Sequence, residues 1–283
     1  MTLRRRIVVW AAAVTAVLVT LACAATAFIN ATLRDELKSL PSQLTGYPLT
    51  LQFDQRQVFS SAGGFTLKSQ KLSAAGSLLV NSSPALLLLG ATRVGDGLDW
   101  PVYASVDVIA ELTGAQPEAF YKTADGPLRV TANVRAAGTS AIAFVRLPPG
   151  HLHAVQTTMA IDAIDITVRA PLRHLQDAEF IILATTAGGV LRADGTRTRG
   201  SGSALLTCPE ALAVAAAESF VRGELKRRGD APLPAKQLNQ LARLRLEGLI
   251  RLGVVSQLEN SYSTTITWAQ NEIKFNGRSL QSL

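Results

Sequence analysis

Val155-Gln156-Thr157-Thr158-Met159-Ala160-Ile161-Asp162-Ala163-Ile164-Asp165-Ile166-Thr167-Val168 carries β-branched residues toward both faces and shows no helical period, which is the pattern of a buried strand region. Phe180 to Ala184 and Gly189 to Arg192 follow as shorter strands, and Asp194-Gly195 reads as a hairpin turn. Upstream the same rhythm continues. Leu49 to Asp54 alternates apolar with polar, Gly63-Gly64 reads as a turn, and Phe65 to Lys68 resumes the alternation. Leu78 to Val80 and Leu86 to Leu89 flank the turn composition Asn81-Ser82-Ser83-Pro84. Val102 to Ala110, Leu128 to Ala136 and Ala141 to Leu147 are spaced by Gly95-Asp96-Gly97, Asp125-Gly126-Pro127 and Pro148-Pro149-Gly150. Strands at this spacing, without helical pattern between them, predict an antiparallel meander and argue against a βαβ fold.

Beyond residue 206 the composition changes. Thr207-Cys208-Pro209-Glu210 predicts a helix start, with Thr207 as cap and Pro209 in the first turn. Ala- and Leu-rich sequence then runs to Lys226-Arg227-Arg228, whose charge suits the negative end of a helix dipole. A second helix is expected from Ala235 to Leu252, with Leu238, Leu241, Leu244, Leu249 and Leu252 on or near one face. Tyr262 to Trp268 and Glu272 to Phe275 form the closing hairpin around Ala269-Gln270-Asn271.

The N-terminus is read from charge and length. Arg4, Arg5 and Arg6 precede an uncharged stretch from Ile7 to Ile29, which as a helix rising ~1.5 Å per residue would cross a hydrocarbon core of ~30 Å. A membrane anchor through Ile7, Val8, Trp10, Val14, Val17, Leu21 and Phe28 is therefore expected, its basic end held in the cytoplasm. A cleaved signal is the rival reading, with A-x-A sites at Ala22-Cys23-Ala24 and Ala25-Thr26-Ala27. A lipoprotein signal at Cys23 is poorly matched by Thr20 and Leu21. The length of the apolar run favours the uncleaved anchor.

The chain has 283 residues, 48% of them hydrophobic and 17% charged, which rules out global disorder. Two cysteines and three histidines are too few for a disulfide scaffold or a zinc finger. Three of the seven net positive charges are the N-terminal arginines, so the basicity does not point to nucleic acid, and none is expected as a partner. Lys226, Arg227, Arg228, Arg243, Arg245 and Arg251 could meet acidic head groups, but a solvated helix face is the simpler reading.

Residue chemistry points away from catalysis. His151 and His153 would face the same way on a strand, yet a metal site needs a third ligand, and His174 and Asp177 are candidates only by elimination. Asp162 and Asp165 fall on opposite faces of a strand, and Asp125 and Asp194 precede turn glycines. Gly200-Ser201-Gly202-Ser203 lacks the closing glycine of a nucleophile elbow. Neither Gly63-Gly64 nor Gly188-Gly189 belongs to a phosphate-binding loop. Cys208, alone in the body, is most simply a small buried hydrophobe. No catalytic residue, cofactor or metal is expected.

Leu246-Glu247-Gly248-Leu249-Ile250-Arg251-Leu252-Gly253, Asn260-Ser261-Tyr262-Ser263-Thr264-Thr265-Ile266 and Asn271-Glu272-Ile273-Lys274-Phe275-Asn276-Gly277-Arg278 together resemble the closing signature of the YdgA-like family of bacterial envelope proteins. In that family a helix and a Tyr-containing strand precede a strand ending in Asn-Gly-Lys/Arg. Leu37 to Phe53 is more loosely similar to AsmA-type envelope proteins. Both resemblances imply an envelope location; the AsmA-type one alone implies lipid contact, and the YdgA-like family, whose function is unknown, brings no catalytic residues.

The expected fold class is α+β: an N-terminal transmembrane helix (1–30), an amphipathic stalk helix (31–46), a mainly antiparallel twisted β-sheet (47–206), and a C-terminal helical pair with a β-hairpin (207–283). The expected function is that of a non-enzymatic periplasmic protein anchored in the bacterial inner membrane, with an apolar sheet face that handles lipid acyl chains. The alternative is an assembly module that binds another envelope protein.

Overall fold

The computed structural model describes residues 15–28, 31, 49–56, 60–68, 72–82, 102–112, 121–123, 126–137, 140–154, 157–171, 174, 176–269 and 272–279. Among them the chain is mostly antiparallel β-strand with three helices: α1 (residues 15–28), α2 (Glu210–Arg228) and α3 (Ala235–Arg251). It divides into two compact units, one of residues 1–109 and 133–141, the other of residues 110–132 and 142–283.

The expected membrane anchor is corrected. No helix among the described residues is long and apolar enough to cross a membrane. Val17, Leu21 and Phe28 are exposed on α1, whereas Ile7, Val8, Trp10 and Val14 lie outside the described residues. The single-pass inner-membrane placement is withdrawn with the span on which it rested. The fold class is accordingly corrected from an α+β body behind a transmembrane helix to a mostly antiparallel β chain with three helices. The expected stalk helix lies outside the described residues apart from Ala31.

In the first unit β1 (Leu49–Arg56), β2 (Ser60–Lys68) and β3 (Leu72–Ser82) pair in sequence order. Gly63 and Gly64 sit inside β2, opposite Phe53 and Gln52, so the expected turn there is a strand interior. Alternate residues bury: Ser61 and Leu67 on β2, Leu78 and Val80 on β3. Leu86 to Leu89 lies outside the described residues. Strands β4 (Val102–Leu112), β6 (Leu128–Ala137) and β7 (Ser140–Leu147) each contribute residues to both units.

The second unit contains a small sheet of β5 (Tyr121–Thr123), β8 (Gly150–Ala154) and β9 (Thr157–Ile161). A meander follows: β10 (Ala163–Pro171), β11 (Ala178–Thr186), β12 (Gly189–Thr198) and β13 (Ser201–Pro209). After the two helices, β15 (Ser261–Ala269) returns beside β13 and is flanked by the short β14 (Ser256–Leu258), β16 (Glu272–Phe275) and β17 (Arg278–Ser279).

The register sorts the side chains of this meander. Ile164, Ile166, Phe180, Ile182, Ala184, Leu191, Ala193, Ala204, Leu206, Cys208, Tyr262, Ile266 and Trp268 share one face, while Asp165, Arg192, Asp194, Thr196, Ser203 and Thr265 share the other. The small sheet covers part of the apolar face, where Tyr121, Leu128, Ile161, Ile164 and Ala184 form one core. Helices α2 and α3 cover another part, where Ala213, Val214, Ala242, Leu246 and Tyr262 form a second. Ile181 and Leu205 remain exposed on the polar face.

Asp194-Gly195 is also corrected, because it lies in the middle of β12. The rings of Phe180 and Trp268 approach to 6.5 Å between centroids, over Gly195 and Gly202 of the intervening strands. A Cβ on Gly195 would stand 2.4 Å from the Phe180 ring, and one on Gly202 would stand 2.2 Å from that of Trp268. The glycines make room for aromatic rings; the chain reverses instead at Ala187-Gly188 and Arg199-Gly200.

The expected helix start moves too. The β13 ladder with β15 continues to Pro209, so Thr207 and Cys208 are strand residues and Pro209 caps α2 without a side-chain hydrogen bond. On α3 the buried stripe is Leu238, Ala242 and Leu246, spaced by four. Leu241, Leu244 and Leu252 are exposed.

Candidate functional site

Helices α2 and α3 stand off the β13–β15 pair around a cavity of about 760 Å³. Its origin is in the residue sizes. Ala213, Ala216 and Ala217 face it from α2, and such short side chains cannot span the gap to the sheet. Leu246, Gly248 and Leu249 line it from α3, and Leu206, Cys208, Tyr262, Ser263 and Thr264 from the strands. Phe220, Leu244 and Leu252 border it while remaining exposed, so the cavity opens to solvent past apolar side chains. Apolar walls with a few polar groups, at ~300–1,000 Å³, are typical of small-molecule sites.

Polarity in the lining comes from Arg245, Cys208, Tyr262, Ser263 and Thr264. Arg245 is the one charged residue of the lining among the described residues. It donates to Glu224 at 3.1 Å, and Arg228 donates to the same carboxylate. Tyr262 is 8% exposed, and among the described residues its hydroxyl makes no hydrogen bond. Burial, with smaller contributions from the carboxylates of Glu210 and Glu247, raises its pKa and keeps the phenol protonated. Burial likewise pushes the Cys208 thiol above its ordinary range. Cys208 and Cys23 are both free thiols.

The other residues singled out by sequence do not assemble into a site. His151 and His153 lie on β8, where the ring of His153 is 3.2 Å from the Thr158 hydroxyl. Among the described residues no three His, Cys, Asp or Glu side chains are placed to hold a metal. His174 and Asp177 belong to the turn between β10 and β11. Asp162 sits at the bend before β10, while Asp165 is exposed opposite Arg146 at 3.6 Å. Asp194 is held below the usual carboxylate range by the guanidinium of Arg192 across the strand face. Asp125 lies outside the described residues.

The basic groups of the helical pair are largely met within it: Arg243 by Glu210 at 2.6 Å, Arg251 by Glu247 at 3.8 Å, and Arg228 and Arg245 by Glu224. The cavity itself went unread in the sequence. Its signal was the alanine stripe of α2, which by periodicity alone cannot be told from close helix packing.

Compared with known proteins, the chain matches no family model, no curated sequence and no solved structure.

Proposed function

We propose that this is a non-enzymatic protein that binds an apolar ligand, of the acyl-chain class, between its C-terminal helical pair and the sheet. The cavity carries the reading, through its volume of about 760 Å³ and its almost wholly apolar walls. A hydrocarbon gains ~0.8 kcal/mol for each methylene it moves out of water, so the walls supply affinity without directional contacts. The likeness of the closing segment to the YdgA-like family is kept as part of this proposal and adds no residue to the site.

Leu244, at the rim of the cavity and 63% exposed, favours a second reading, in which a partner protein covers the cavity mouth. Fluorescence titration of the folded protein with N-phenyl-1-naphthylamine, followed by displacement with 1-dodecanol, tests the first reading. Saturable, displaceable binding supports it; an unchanged probe spectrum overturns it.

A further inference from the structure

We infer that the ligand is a single-chain amphiphile with an anionic head seated against Arg245; the inference rests on the reading of the cavity as an apolar binding site. Size sets the chain count. If a methylene takes about the share of one water, ~30 Å³, a sixteen-carbon chain fills roughly 500 Å³. One such chain fits a cavity of about 760 Å³ and two do not, so a diacyl lipid with chains of that length is too large.

Charge sets the head group. Among the described residues Arg245 is the one charged side chain of an otherwise apolar or neutral lining. The Glu224 carboxylate accepts from both Arg245 and Arg228, so one negative charge faces two positive ones and the trio keeps a net positive charge. The guanidinium has five N–H donors, and its hydrogen bond to Glu224 is made through Nη2 alone. The Arg245 side chain is 55% exposed. An anionic head there stays at the edge of water and avoids the cost of burying a charge, while its chain runs along Leu249 toward Cys208.

The test uses the full chain and displacement of N-phenyl-1-naphthylamine, a neutral apolar fluorophore, by laurate and by 1-dodecanol, which have chains of equal length. Arg245→Gln is expected to weaken laurate about tenfold, equivalent to ~1.4 kcal/mol and in keeping with a hydrogen bond to a charged group. The same variant leaves 1-dodecanol within about twofold. Glu224→Gln frees the guanidinium and tightens laurate severalfold. An equal effect of Arg245→Gln on both ligands, or no effect on either, overturns the anionic head with the cavity still occupied. Failure of the fluorophore and both ligands to bind the unmodified protein overturns the cavity reading itself. If Arg245→Gln does not fold, Glu224→Gln decides, since unchanged laurate affinity then overturns the inference.

Discussion

Replacing Ala217 by Phe asks whether the space beneath the helices is real, and the answer lies in the sign of the stability change. Ala217 faces the cavity from α2 and packs beside the buried cluster that includes Tyr262. A phenyl group placed there would leave water for an apolar surround. Full burial of such a side chain stabilises by ~1.5–3 kcal/mol, and the open mouth reduces this to about 1.5 kcal/mol by the same scale. The lower helix propensity of Phe relative to Ala costs ~0.5 kcal/mol. The net expectation is stabilisation of about 1 kcal/mol. Without room, the substitution becomes overpacking and destabilises by ~1–3 kcal/mol. Because the chain has two units, the assay must report on the second one alone. Trp268 lies there, whereas Trp10 and Trp100 lie outside the described residues. In a Trp10→Phe, Trp100→Phe background, urea denaturation followed by Trp268 fluorescence isolates the relevant transition. A lower midpoint for Ala217→Phe would refute the reasoning, whatever the variant did to ligand binding.

Three further outcomes follow from the geometry. Tyr262→Phe removes a buried hydroxyl without a hydrogen-bond partner among the described residues, so stability in the same assay should be unchanged or raised by up to ~1 kcal/mol; a loss larger than that would show that the hydroxyl is satisfied. Gly202→Ala forces the Trp268 ring off β13, because the new Cβ would lie 2.2 Å from the ring and 2.6 Å from the Thr196 carbonyl oxygen. A loss of ~1–3 kcal/mol with a red-shifted Trp268 emission is expected, and an unshifted spectrum would contradict the stacking. Cys208 has its thiol pKa raised by burial, so its contribution is intact below the ordinary thiol range of ~8.5 and is lost as pH rises through and above it. Cys208→Ala should therefore flatten the alkaline decline of stability, and parallel pH profiles for the two proteins would contradict this.

Alternation reads well where one face is wet and the partner strand is near in sequence. Leu49 to Asp54 and Phe65 to Lys68 are strands for that reason. The misreadings fall where a distant partner sets the local residue. Gly195 looks like a turn residue until the Phe180 ring lies over it, and Thr207-Cys208-Pro209 looks like a cap until β15 pairs with it. On α3 the leucines counted as one face are split, because the helix buries its 238–242–246 stripe and leaves Leu241, Leu244 and Leu252 outside. The cavity depends on how far two helices stand from a sheet, a distance no local pattern encodes. The apolar stretch after Ile7 shows the converse: hydropathy alone suggested a span, and no helix among the described residues is long and apolar enough to be one.

Cys208 offers the most direct test, because it lines the cavity while Cys23 sits on α1 in the other unit. The measurement is the maleimide labelling rate of each thiol, resolved by peptide mass spectrometry, with and without saturating 1-dodecanol. Occupation of the cavity predicts that the alcohol slows labelling at Cys208 severalfold and leaves Cys23 unchanged. Equal labelling rates at Cys208 in the two conditions would contradict the account.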